Sequence, residues 1–340
     1  MDVRLNKVFG GIVLLLFICA WLILPNGVQA AEIRIGFGDI ASMDTISDLA
    51  AIARLQQKGI PIKPVYFKSD QISNQAAISG EIEIGSGTPY GIIQRMNKEK
   101  KGEVRFFFQR LINQYIPVVR KSKYTTWKDL NGQEMVVHAR ASGTEAQAKL
   151  WEKHYGIKYS QIKYVPGTEV RGNAMLQGTM DASIVGLFTA NMLMEKQPGQ
   201  WAVLPIPEGA TGTDDALFAR KDWLDKNYNV VKMIIKEFLL VYRQVNADPS
   251  VIGQLRKQYN LLPDLPKEIE VQIPVYWKTA AQLQLNPNNG GGEKEAKFDL
   301  EFFQTAGQIE GAPESMKIED FWYLKPLKEV LAEIGEVKTR

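Results

Sequence analysis

The chain has 340 residues, of which 41 are Lys or Arg and 38 are Asp or Glu, for a net charge of +3. Charge this near to neutral, with both signs interspersed, gives no reason to expect nucleic acid or an anionic membrane surface as a partner. A single cysteine, Cys19, excludes a disulfide framework.

Arg4 and Lys7 precede an apolar run from Val8 to Leu24, and Pro25, Asn26 and Gly27 then break it ahead of Val28-Gln29-Ala30. A charged start, an apolar middle and a small-x-small end define a secretory signal over residues 1–30, cleaved after Ala30. The competing reading is an uncleaved anchor, since the run approaches the ~18 residues that suggest a membrane span; the helix breakers and Ala30-Ala31 favour cleavage. A lipoprotein is rejected, because bulky Ile18 precedes Cys19 and the cysteine lies inside the apolar run. Losing Asp2, Arg4 and Lys7 leaves 39 basic and 37 acidic residues and no thiol. The remaining chain of about 300 residues is long enough to bury a core unaided and suits two lobes.

The mature chain opens with Glu32-Ile33-Arg34-Ile35-Gly36-Phe37, an alternating strand. A helix is expected from Ser47 to Lys58, ended by Gly59, then a strand from Ile62 to Phe67. Strand, helix, strand at this spacing indicates a right-handed crossover and a parallel sheet. Gly80 to Gly85 reads as the next strand. Ser86-Gly87-Thr88-Pro89 then leads into a helix from Tyr90 to Met96, with Pro fitting its first turn. The same grammar returns after Thr126: a strand over Glu134 to His138, the loop Arg140-Ala141-Ser142-Gly143-Thr144, and a helix from Glu145 to Tyr155. A strand over Ile162 to Val165, a helix over Arg171 to Gln177 and a strand over Asp181 to Val185 follow. Each half is thus an α/β unit with loops at the carboxyl ends of its strands, where open parallel sheets bind ligands. From about Lys221 the pattern turns helical, over Val230 to Val245, Val251 to Tyr259, and near 270–285, 295–308 and 319–334. These helices are expected to pack on the first lobe. Asn288-Asn289-Gly290-Gly291-Gly292 reads as an exposed loop.

Four segments, IRIGF, GEIEIGSGTPYGII, TWKDLNGQEMVVHARASGTEAQAKLWEKHYGI and MLQGTMDASIVGLFTA, together resemble the substrate-binding components of ABC importers for nitrate, taurine and alkanesulfonates. They stand in family order and spacing, over roughly residues 32 to 245. Phe188 stands where the family often has Pro, and Glu83 where it usually has Asp; both departures bear on the ligand rather than the fold. The resemblance implies an α/β, two-lobed type II periplasmic-binding-protein fold, two open sheets flanked by helices with a hinged cleft between them. It places two crossings between lobes at Gln114 to Lys121 and Thr213 to Arg220. One lobe would be 31–117 plus 217–340, the other 118–216. The implied partners are a small-molecule solute and an ABC permease in the cytoplasmic membrane, with the protein monomeric in the periplasm.

A cleft lined by helix N-termini suits an anion, since each terminus carries roughly half a positive charge and unpaired N–H donors. Gly87 and Thr88, and Ser142, Gly143 and Thr144, would sit at two of these, although Ser and Thr ahead of helices are ordinarily caps. Asp39, Ser42 and Asp214 are further ligand candidates, with Asp215 beside the last; a loop Asp more often makes a turn. Arg171 and Arg140 could neutralise an anion, although a surface salt bridge is their commoner use. Tyr90, Tyr115 and Phe188 could wall the cleft or be plain core. Helix-terminus donors and aromatic content together favour an organic anion such as a sulfonate. No HExxH, GxSxG or P-loop spacing occurs, so neither a cofactor nor a metal is expected and no catalysis is. Glu81 and Glu83 read as a solvated face. The rivals are a sensory binding protein and an enzyme built on the same fold; export argues against the second.

Overall fold

A computed structural model describes residues 32–113, 115–140, 142–206 and 212–337. The leader expected over 1–30, and its cleavage after Ala30, lie outside the described residues. The first part of the chain runs β1 (Ile33–Phe37), α1 (Ile46–Gln57), β2 (Ile62–Tyr66), α2 (Asp70–Ser79), β3 (Ile84–Gly87), α3 (Tyr90–Glu99) and β4 (Val104–Ile112). The second runs β5 (Ile116–Arg120), β6 (Glu134–Val137), α4 (Gly143–Tyr155), β7 (Gln161–Tyr164), α5 (Thr168–Leu176), β8 (Ala182–Val185), α6 (Leu187–Lys196) and β9 (Trp201–Val203). The chain then returns as β10 (Thr213–Arg220) and continues in α7 (Lys221–Lys226), α8 (Tyr228–Ala247), α9 (Val251–Gln258), α10 (Lys267–Glu270), α11 (Ile273–Leu283), α12 (Glu293–Thr305) and α13 (Lys325–Ile334).

Two five-stranded sheets result, ordered β2-β1-β3-β10-β4 and β7-β6-β8-β5-β9. In each, three parallel strands are joined by helical crossovers, as the sequence periodicity predicts, and Ile35 faces both Pro64 and Ile84 in the first. An antiparallel strand completes each sheet: β10 between β3 and β4, and β5 between β8 and β9. Local chemistry sets the helix ends. The Ser69 and Ser142 side chains accept from the backbone N–H of Ile72 and Glu145, and Gly80 and Gly156 stop α2 and α4 in the left-handed conformation.

Sheet membership shows the chain passing from the first sheet to the second between β4 and β5, and back between β9 and β10. The spans read as crossings from sequence, 114–121 and 213–220, are largely the strands β5 and β10 that follow those passages. Strand β3 is shorter than its alternating pattern suggests and begins at Ile84, because Gly80 caps α2 and Glu81 to Glu83 form the bend after it. Glu83 is paired with the Arg34 guanidinium at 2.9 Å instead of standing free.

The C-terminal helices share one apolar core with the first sheet, in which Ile35, Phe108 and Leu217 join Phe238, Trp277, Phe303 and Leu327. The second sheet has a core on each face, Trp127, Met135 and Trp151 on one and Val118, Met175 and Leu193 on the other. The segment 288–292, expected as an exposed loop, is packed inside. Asn288 is buried, and Gly290 accepts the N–H of Gln109 through its carbonyl at 2.7 Å. A Cβ on Gly290 would lie 2.4 Å from the Phe108 ring, so glycine here permits close approach to β4 rather than marking a solvated tip. Among the described residues no helix is long and apolar enough to cross a membrane.

Candidate functional site

Strand direction brings the candidate residues to facing edges. In the first sheet the carboxyl ends of β1, β2, β3 and β4 and the start of β10 share one edge, which carries Asp39, Tyr66, Gly87, Asn113 and Asp214. In the second, the ends of β6, β7 and β8 and the start of β5 share an edge that carries His138, Gly167, Gly186 and Tyr115. The edges touch at identifiable points. His138 Nδ1 accepts the Gly167 N–H at 3.2 Å, leaving Nε2 to carry the proton toward Asp70 Oδ2 of the opposite lobe at 3.3 Å. Gln308 Nε2 donates to the Ser142 carbonyl at 3.1 Å. Leu187 and Phe188, at the start of α6, pack against the core cluster of the first lobe.

The floor on the first-lobe side is a buried charge cluster. Arg110 donates to Asp48, to Asp215 and, at 3.0 Å, to Ser86 Oγ, while the Tyr242 hydroxyl donates to Asp48. Its guanidinium lies 5.4 Å from the Phe37 ring. Burial pushes the Asp48 and Asp215 carboxyls up, and Arg110 opposes it for both.

Several sequence candidates turn out to hold local structure. Ser42 Oγ donates to Asp44 and the Ser42 carbonyl accepts from Thr45, a turn that starts α1. Ser142 Oγ donates to the Ala139 carbonyl at 2.7 Å, and Thr144 Oγ1 accepts the His138 N–H at 3.0 Å. Tyr90 belongs to the interior of the first lobe, not to a cleft wall. Its hydroxyl donates to Asp299 at 2.7 Å and accepts from Trp322 at 2.8 Å, and its ring centre is 4.5 Å from those of Phe106 and Phe303. Thr88 is buried where β3 meets α3. Gly87 adopts φ +152°, and a Cβ there would lie 2.7 Å from Asn74 Oδ1.

Others meet at the groove. Tyr115 lies in the first passage, its N–H held by Asn113 Oδ1 at 2.9 Å. Burial, then Asp214 and Asp70, hold its hydroxyl well above the ordinary range, with Arg171 opposing. Arg171 is no surface cation. It is fully buried, donates to the Ile184 and Val165 carbonyls at 3.1 and 2.7 Å, and has no partner for Nη2 among the described residues. Arg140 is turned onto the Tyr164 ring, 5.1 Å from its centre. A Cβ on Gly143, the first residue of α4, would lie 3.3 Å from Asp214 Oδ1 and 3.6 Å from Asn113 Nδ2. A first-lobe carboxylate therefore stands against the N-terminus of a second-lobe helix. Burial and then the neighbouring Asp215 hold Asp214 well above the usual carboxylate range.

Sequence reasoning missed Asp44, Asp70 and Glu169. Asp39 reaches solvent but is flanked by protein across the groove. That enclosure lifts its carboxyl, the Ile40 N–H and His138 oppose, and Asp44 and Asp70 add to the lift. Glu169, at the start of α5 in the other lobe, reaches solvent but is crowded by protein, and that enclosure, with Asp44 and Asp39, lifts its carboxyl. The available signal was their position: each lies within a few residues of a helix start that follows a strand. Among the described residues no three His, Cys, Asp or Glu side chains are arranged to hold a metal. A depression of about 490 Å³ at the opposite edge of the first sheet is lined by Arg220, Lys221, Asp222 and Asp225. Those charges pair as Arg220–Asp222 and Lys221–Asp225, so we place the site in the groove between the sheets.

Two α/β lobes, linked by two passages and facing each other across a groove, constitute the periplasmic-binding-protein fold, as the sequence implied. No family model matches the chain, and no curated protein matches it. Solved structures do. A protein of Bordetella bronchiseptica RB50 superposes with a TM-score of 0.70 at 15% identity, covering 91% of this chain and 99% of that one. The periplasmic aliphatic sulphonate binding protein SsuA from Escherichia coli gives 0.62 at 16% identity, covering 86% and 92%. The periplasmic nitrate-binding protein NrtA from Synechocystis PCC 6803 gives 0.65 at 12% identity, covering 89% of each. At such identities the likeness is one of fold.

Proposed function

We propose that this chain is an exported solute-binding protein. It closes its two lobes on a small molecule, presents that molecule to an ABC permease in the cytoplasmic membrane, and works in the periplasm as a monomer without catalysis. The observation that carries the reading is the pair of facing sheet edges, between which the chain passes twice, from β4 to β5 and from β9 to β10. Rotation about two such passages opens and closes a groove while each lobe moves as a body. Phe188, Tyr115, Asp39, Asp214, Gly143 and Arg171 would then enclose the solute. The leader read from the sequence and the periplasmic neighbours of the same fold support export. The sulfonate and nitrate named for those neighbours suit the organic anion expected from the helix termini.

The test is native mass spectrometry of protein purified from the periplasmic fraction without refolding, then small-angle scattering with the co-purified molecule added back. A mature chain beginning at Ala31, a bound small molecule and a reduced radius of gyration on its return are expected. At a hundredfold excess over its Kd the molecule should raise stability by about 2.7 kcal/mol. A bound molecule that leaves the scattering unchanged would refute the closing mechanism.

A further inference from the structure

We propose that His138 and Asp70 form a latch across the mouth of the groove, a contact that opening must break and that sets how readily the lobes part. This rests on the receptor reading above and concerns how the same groove is held shut.

The position of the pair carries the argument. The chain passes between lobes from β4 and β10 of the first sheet and from β5 and β9 of the second. Asp70 opens α2 and is held against Gly38, just beyond β1, where a Cβ would collide with its backbone and its carboxylate. His138 follows β6, and its Nδ1 accepts the N–H of Gly167, beyond the edge strand β7, at 3.2 Å. In each sheet two strand intervals separate the latch from the nearest connecting strand: β1 from β10 across β3, and β6 from β5 across β8. Two intervals amount to roughly 10 Å. Rotation about the passages separates distant points more than near ones, so parting the lobes breaks the 3.3 Å approach of His138 Nε2 to Asp70 Oδ2 early.

Other contacts between the lobes lie closer to the passages. A Cβ on Gly143 would stand 3.3 Å from Asp214 Oδ1 and 3.6 Å from Asn113 Nδ2, and those two residues begin β10 and follow β4. Its neighbour Ser142 accepts the Gln308 amide at 3.1 Å. Contacts so placed persist through a small rotation that the latch does not survive.

Each partner is oriented in advance by its own lobe. The Gly167 N–H fixes which imidazole nitrogen carries the proton, and Gly38 fixes the place of Asp70. Little freedom is therefore lost when the contact forms. The two side chains are 12% and 36% exposed, so the contact sits at the rim and parts without unfolding either lobe.

The experiment is electron–electron double resonance between spin labels on Ile72→Cys and Val170→Cys in the mature chain, which loses Cys19 with the leader. These positions are 49% and 55% exposed, one in each lobe, beside Asp70 and Gly167. Asp70→Ala leaves the His138–Gly167 bond in place and should raise the ratio of long to short distances about fivefold. His138→Ala should do the same, and the double variant no more than either alone. Gln308→Ala removes the contact beside the passages and should leave the distances as in the parent. A ratio that Asp70→Ala does not alter, or that Gln308→Ala alters equally, overturns the latch and leaves the receptor reading standing. A double variant that sums the two single effects does the same. One short distance in every protein means that the lobes do not part and overturns both.

Discussion

Replacing Arg110 by Met tests the account of the groove floor most directly. Arg110 is 7% exposed and Asp48 is fully buried, so Met leaves one inaccessible carboxylate and the half-buried Asp215 without their counter-charge. Breaking a buried pair in this way costs about 3–5 kcal/mol. The lower end is expected, because Tyr242 still donates to Asp48, and Ser86 Oγ donates to Asp215 at 2.6 Å. The pH dependence carries a definite sign. Burial already holds both carboxyls above their ordinary range with Arg110 opposing, so losing Arg110 lifts them further. An acid whose folded pKa is raised stabilises the fold at pH values below its unfolded pKa and loses that contribution as pH rises through the folded value. The gap between the variant and the parent should therefore be widest near neutrality and narrow on acidification. Urea unfolding at about pH 7 and about pH 5 measures it. A neutral-pH gap below about 1 kcal/mol, or one that widens in acid, would refute the reasoning. Adding Asp48→Leu to Arg110→Met should recover part of the loss, since apolar replacement of both partners removes the stranded charge.

Two further perturbations follow from single buried groups. Asp299 accepts from Tyr90 and Thr213 in the first-lobe core, and burial pushes its carboxyl up to about 6. Its contribution should be present in full below about pH 4 and decline by about 3 kcal/mol as pH rises through 6, a slope that thermal unfolding should find missing in Asp299→Asn. Gly290→Ala should cost about 3 kcal/mol in urea unfolding, from positive φ and overpacking against Phe108. Gly59→Ala, with φ +80° but nothing within 4 Å of the new Cβ, should lose only about 1 kcal/mol. Equal losses at the two glycines would remove the packing part of the explanation.

The parallel halves of both sheets were legible because their strands and crossover helices have distinct periods and capped ends. The antiparallel members were not. Strand β4 is buried along most of its length, and Val104 to Ile112 mixes Phe106, Phe107 and Phe108 with Arg105, Gln109 and Arg110, so it shows neither alternation nor a plain apolar run. Arg105 and Arg110 find their partners far away in sequence, in the Glu319 carbonyl and Asp215, which no local pattern reveals. The loop over 288–292 misled for a related reason: glycine marks either a solvated turn or a place where backbone must come close, and only the strand beside it decides which. The placement of Asp39, Tyr115, Gly143, Arg171 and Asp214 near the facing sheet edges was reachable from the loops and helix starts next to strand ends. Tyr90 was drawn inward by Asp299, more than two hundred residues away along the chain.

The charges around the groove show what topology adds to a local argument. Helix N-termini at strand ends are positive, and taken one by one they favour an anion. In this chain Asp48, Asp70, Glu145 and Glu169 stand in the first turns of α1, α2, α4 and α5, and Asp214 comes from the other lobe to face α4 as well. Each acid stabilises its own helix by complementing the dipole, so the positive ends are met from within. Only α3 and α6 begin at the groove without such an acid. Once the dipoles are offset locally, what remains is the mutual repulsion of carboxylates that belong to different helices and different lobes. That repulsion is invisible in any one segment and grows as the groove narrows. Protonation relieves that repulsion, so the ligand-free protein should become more compact in small-angle scattering as pH falls through the raised carboxyl range of Asp39, Glu169 and Asp214; a radius of gyration that does not change with pH would refute it.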